Sequence, residues 1–133
     1  MSDLEADSMP FDYLSGRLRS VGHAMRGIGS LVRDEPNARI HLLATVLVVV
    51  AGAWLHLSRI EWGLIALAVA SVWAAEAFNT AMEALVDLIS PERQLLAAKA
   101  KDVAAGAVLL AACGSVVIGL LVFVPHLLGL LLP

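Results

Sequence analysis

Residues 62–89 read WGLIALAVASVWAAEAFNTAMEALVDLI, from Trp62 to Ile89. As a helix this stretch crosses a lipid bilayer with residues to spare, because about 20 helical residues span a hydrocarbon core of roughly 30 Å. Its second half nevertheless carries Glu76, Asn79, Glu83 and Asp87. At about 100° per residue, offsets of 3, 7 and 11 from Glu76 return all four side chains to one stripe of a helix. A charged side chain at the centre of a bilayer costs roughly 2.5 kcal/mol or more unless it is compensated, so ionisable residues inside a span are candidates for function. The apolar length therefore sets the fold class, and the polar stripe marks the site.

Two more blocks outside this stretch are apolar enough to cross a membrane, residues 40–57 and residues 103–124. The whole chain of 133 residues is 59% hydrophobic, where a soluble domain runs about 45–50%. Upstream, Leu18, Val21, Met25, Ile28 and Val32 recur every three or four residues, the period of an amphipathic helix. Arg19, Arg26 and Arg33 fall on its other side, a pattern suited to lying in the headgroup plane. Pro36 disfavours helical geometry at Glu35 and ends that helix. Ser58 to Glu61 make a tight turn between the first two spans. The expected fold is an all-α membrane protein in which residues 1–9 are disordered and residues 10–133 form one domain. That domain comprises a surface helix over 10–34 and spans over 40–57, 62–89 and 103–124. Three short-linked helices hide little polar surface alone, so protomers are expected to share it. Gly106, among alanines, reads as a place of close helix packing, and the lone Cys113 as a small buried residue.

Charge sets the orientation. Arg17, Arg19, Arg26, Arg33 and Arg39 precede the first span, and Arg93, Lys99 and Lys101 lie between the second and third. Only Arg59 sits in the turn between the first two, where Trp54 and Trp62 suit an aromatic belt. The positive-inside rule puts the amino terminus and the second connection in the cytoplasm. Glu76 then lies roughly 20 Å along the helix from Trp62, past the midplane, with Glu83 and Asp87 nearer the cytoplasmic headgroups. Glu35 and Arg39 stand just before the first span, Lys101 and Asp102 just before the third. This convergence on one surface fits an interfacial active site better than a pore; the net charge of −3 argues neither for nor against nucleic acid, and no nucleic-acid partner is expected.

Phosphorylation of a lipid alcohol needs a base for the hydroxyl proton, carboxylates for Mg²⁺ and a cation for the β- and γ-phosphates. Glu76, deepest in the apolar layer, is the candidate base. Glu83 and Glu35, nearer water, are candidate metal ligands, since Mg²⁺ takes one or two carboxylates with phosphates and water. Lys101 is the candidate phosphate partner, while Asn79 and Asp87 can orient these groups. By spacing alone, a proton or cation relay through Glu76 and Glu83 stays open. His41 and His56, at the two ends of the first span, read as interfacial or capping residues.

The segment EAFNTAMEALVD, Glu76–Asp87, resembles the E-x-x-N-[ST]-A-x-E-x-x-x-D signature of the small prokaryotic diacylglycerol kinase and undecaprenol kinase family. KAKDVAAGAVL, Lys99–Leu109, is similar to that family's A-K-D-x-x-A-G-A-V segment. Arg26-Gly27-Ile28 and Glu35–His41 resemble its F/R-G-I and E-x-N-x-R-I-H stretches. The resemblance covers about residues 16–124 and implies an integral membrane homotrimer with active sites shared between protomers. It implies transfer of the γ-phosphate of Mg·ATP to a lipid hydroxyl at the inner membrane of a bacterium, with no Walker loop and no protein-kinase motif. On the matching positions Glu76 is the general base, and Glu35 and Glu83 bind the metal–nucleotide complex. Lys101 and Asp102 contact the nucleotide, Asn79 supports the site, and Arg39 contacts the lipid head region. Diacylglycerol-specific members carry an arginine where Gly16 aligns and aromatic residues near His23 and Met25, so adenine contacts in that helix do not carry over. The E-x-N-x-R-I-H and A-K-D-V-A-A-G-A-V versions lean towards undecaprenol as substrate, with diacylglycerol the alternative.

Overall fold

The computed structural model describes the backbone of residues 9–90 and 94–132, with side chains from Ser15 onward. Residues 1–8 of the tail expected to be disordered and Arg93 of the second connection lie outside the described residues, while Met9, expected to be disordered too, opens the first helix. Among the described residues four helices follow in order: α1 (Met9–Asp34), α2 (Pro36–Trp54), α3 (Arg59–Ile89) and α4 (Leu95–Leu131). The last three are each long and apolar enough to cross a membrane. α3 packs chiefly on α4 and also against α2, while α1 meets the start of α2 and the adjoining part of α3.

The joint between α1 and α2 is sharp. Glu35 is extended, at φ −101° and ψ 119°, and Pro36 opens the next helix, where its missing N–H costs nothing. Arg39 reaches back across the joint, and its guanidinium donates to the carbonyls of Val32 and Arg33 at the end of α1. A cation on these orphan carbonyls satisfies them and complements the helix dipole. Asp34 stands at the unfavourable end of that dipole. Its hydrogen bonds from Arg33, the closer at 2.8 Å, hold its carboxyl below the usual range.

The turn between α2 and α3 carries its own chemistry. His56 adopts φ 54°, the left-handed conformation, with His56 N donating to Ala53 O and Leu57 N to Gly52 O. These two bonds make a Schellman closure with histidine at the position that usually takes glycine. Gly52 is needed for a different reason: a Cβ there would stand 2.9 Å from Leu57 and 3.0 Å from the Trp62 ring. The next helix starts with a capping box, in which Ser58 Oγ accepts from Glu61 N and Glu61 Oε2 accepts from Ser58 N at 2.7 Å. Leu57, Ile65 and Val122 form the buried cluster beside this turn, with Trp62 and Phe123 packed against it.

Three expectations change. α4 begins at Leu95 rather than at residue 103, because Leu95 to Lys101 are mostly strong helix formers, so Lys101 and Asp102 stand on a helical extension of the third span. Cys113 is exposed on α4 instead of buried. Open space surrounds the Gly106 Cα on its side-chain side, so the close approach it permits is not to the other helices of its own chain.

Candidate functional site

The buried residues of α3 are Ile65, Ala68, Val72, Glu76 and Asn79, spaced by 3, 4, 4 and 3. They form one core-facing stripe that turns from apolar to polar after Val72. Glu76 therefore occupies a place that a plain bundle would give to an aliphatic side chain, and it is 1% exposed. Its Oε2 has no hydrogen-bond partner among the described residues. Asn79, 7% exposed, donates from Nδ2 to Glu83 Oε1 at 2.9 Å and leaves its own Oδ1 buried and unpartnered. Two orphaned oxygens on residues of one recess are costly in a resting bundle and natural in a site that closes on a ligand.

Glu76, Asn79 and Glu83 line one recess of about 320 Å³. Asn37, Ile40 and His41 of α2 form its second wall, and Ala105, Val108, Leu109 and Ala112 of α4 its third. The α4 wall bears no titratable side chain. His41 Nε2 stands 3.9 Å from Glu76 Oε2. One helical turn further into the bundle, the Trp73 indole donates to Thr45 Oγ1 at 3.1 Å, and Thr45 Oγ1 donates to His41 O at 2.7 Å. This second rung fixes the rotation of α2 against α3. On the other side Ser115 Oγ lies 3.1 Å from Ala68 O and joins α4 to α3. From His41 and Ala112 an apolar groove of about 260 Å³ runs on between the three spans past Val48, Val72 and Gly119 to Phe123.

The structure gathers some of the expected site residues and separates others. Glu76, Asn79 and Glu83 share the recess as the helical stripe requires. Asp87 continues the stripe beyond it and binds Lys101 of α4, Nζ to Oδ1 at 2.5 Å, so lysine and aspartate form a bridge at the rim. Glu35 lines a neighbouring recess with Asp34, Thr80 and Ala84, between α1 and α3. Asp102 is exposed and is not among the residues lining the Glu76 recess, and Arg39 is engaged with α1. His41 and Asn37 also line the recess, and His41, expected as an interfacial or capping residue, stands beside Glu76. The signal for it was available: a buried carboxylate needs a partner, and His41 is the ionisable side chain inside the first apolar block nearest the same depth.

The sequence profile of the family described as prokaryotic diacylglycerol kinase matches residues 22–123. The chain belongs to the prokaryotic diacylglycerol kinase family. It is similar to the undecaprenol kinase of Bacillus subtilis, 44% identical over 109 residues that cover 82% of this chain and 89% of the relative. The diacylglycerol kinase of Synechocystis is 40% identical over 86% of this chain and 66% of its own length. The diacylglycerol kinase of Escherichia coli is 33% identical over 71% of this chain and 77% of its own. As a member of this family the chain is a lipid kinase, and the polar stripe of α3 lies within the matched range.

Proposed function

We propose that this lipid kinase transfers the γ-phosphate of Mg·ATP to the hydroxyl of undecaprenol, at the recess between α2, α3 and α4. The observation that carries the proposal is the placement of Glu76. Its carboxyl is buried where the polar recess meets the apolar groove, so an apolar chain in the groove would bring a terminal hydroxyl to it. Glu76 is the base that takes the hydroxyl proton. The alkoxide oxygen attacks the γ-phosphorus in line as the bond to the β-phosphate oxygen breaks, with no phosphoenzyme. Glu83 and the free Asn79 Oδ1 are hard oxygen donors that fit Mg²⁺, which uses one or two carboxylates and completes its shell with phosphates and water. When bound, the ion would offset charge on the transferring phosphoryl group. Lys101, held by Asp87 at the rim, is the cation for the nucleotide phosphates.

Glu35 and Asp102 stand outside the recess of their own chain, which supports a shared site in which a second copy brings further nucleotide contacts, and a homotrimer is the proposed assembly. The orientation follows the basic residues, with the recess opening to the cytoplasm of a bacterial inner membrane. Undecaprenol is preferred because the relative that carries that name matches 44% of aligned residues. Diacylglycerol is the second reading, favoured by the relatives that carry that name.

The test is transfer from labelled Mg·ATP to the two lipids side by side, by purified protein in detergent micelles. Undecaprenol is expected to be phosphorylated faster, and Glu76→Gln to lose at least about 10²-fold in rate, the usual worth of a positioned base. Faster labelling of diacylglycerol would reverse the substrate assignment, and an active Glu76→Gln protein would remove the base.

A further inference from the structure

A base buried as deeply as Glu76 meets a difficulty after each transfer. It holds a proton, is 1% exposed, and must lose that proton before the next turnover. Among the groups lining the recess Glu83 is occupied by Asn79, and α4 contributes only apolar side chains. Arg39 is turned to the carbonyls of α1, and Lys101 is bridged to Asp87. His41 is different. Its Nε2 faces the unpartnered Glu76 Oε2 at 3.9 Å, and its side chain is 19% exposed against 2% for Glu76. An imidazole ring nitrogen can accept a proton from a carboxyl and pass it on, at no cost in ligand or metal binding.

We infer that His41 is the proton acceptor for Glu76, a relay between the buried base and the water-facing mouth of the recess. The inference rests on the reading of Glu76 as the base. In the transfer the O–H bond of the lipid breaks and its oxygen bonds to phosphorus. The P–O bond to the nucleoside diphosphate breaks, and its electron pair leaves with the diphosphate. The proton goes to Glu76 and from there to His41 Nε2, which becomes imidazolium and returns it to water. The 3.9 Å separation reaches hydrogen-bond length with about 1 Å of side-chain movement. The Trp73–Thr45–His41 chain of hydrogen bonds holds the backbone of His41 so that this movement is all that is needed. His41 acts through Glu76 and is a positioning residue in that sense.

The test is kinetic. Undecaprenol phosphorylation is measured for the wild-type protein, His41→Gln, His41→Ala and Glu76→Gln, each checked for unchanged melting temperature and size in detergent. Glutamine keeps a polar side chain of similar reach but cannot carry the proton. His41→Gln is expected to lose about 10²-fold in kcat with an unchanged KM for Mg·ATP, and added imidazole to restore part of the rate of His41→Ala. A purely structural role for His41 would not respond to imidazole. An inactive Glu76→Gln beside a His41→Gln protein of wild-type kcat overturns the relay and leaves the base in place. Failure of imidazole to raise the rate of a folded His41→Ala protein also overturns it. An active Glu76→Gln protein removes the base and the relay together.

Discussion

One amide proton of Asn79 holds the Glu83 carboxylate, and the oxygen of the same side chain is buried with no donor among the described residues. On the proposed Mg²⁺ site, a group that both orients Glu83 and offers an oxygen should show itself in metal dependence before anything else. Asn79→Ala is expected to raise the Mg²⁺ concentration for half-maximal activity by about tenfold, the lower end of what an orienting neighbour is worth. Asn79→Asp would set a second carboxylate against Glu83 in the same recess and cost more. A Mg²⁺ titration of both variants decides it, and an unchanged midpoint in Asn79→Ala would separate Asn79 from the metal. The alignment of Glu76, Asn79 and Glu83 was legible because it depends on one helix and its period. His41 and Asn37 were not read as part of the site, because their approach depends on how α2 is rotated against α3. That rotation is set by the Trp73–Thr45 hydrogen bond, which joins residues 28 apart.

The elements follow their apolar blocks closely, while their ends follow local chemistry that composition does not carry. Pro36 starts α2 four residues before the apolar block at Ile40, and Leu95 starts α4 eight residues before Val103. The sharpest local case is His56, which closes α2 in a left-handed conformation. For a residue with a Cβ that conformation costs roughly 1–2 kcal/mol, and glycine avoids it while losing more chain entropy on folding. His56→Gly is therefore expected to stabilise the protein by up to about 1 kcal/mol, since the two closing bonds from His56 N and Leu57 N are backbone bonds and survive the change. Thermal unfolding in detergent should show a midpoint higher by a few degrees, with lipid phosphorylation unaltered. A lowered midpoint would mean that the imidazole makes a contact that outweighs the strain.

At the scale of the whole molecule, apolar side chains face outward along every span, Leu47 and Val50 on α2, Leu67 on α3, Leu110 and Leu121 on α4 among them. Lipid or further copies must cover them. The proposed orientation rests on charge: the joint of α1 and α2 and the first turns of α4 hold Arg33, Arg39, Lys99 and Lys101, while the turn between α2 and α3 holds Arg59 alone. α4 is about 55 Å long, well beyond a hydrocarbon core of roughly 30 Å, so part of it must lie outside the core, and its basic first turns are the part expected to project. Cysteine labelling reads this directly, because Cys113 is the lone cysteine and Cys113→Ala gives a clean background. On that background Ser58→Cys sits at the Arg59 turn and Gln94→Cys at the start of α4, both exposed. With a membrane-impermeant maleimide on intact spheroplasts, Ser58→Cys should label, and Gln94→Cys should label only after permeabilisation. The reverse pattern would turn the recess to the outer face, away from cytosolic ATP. In that case the same carboxylates could not be working as a kinase that draws on it.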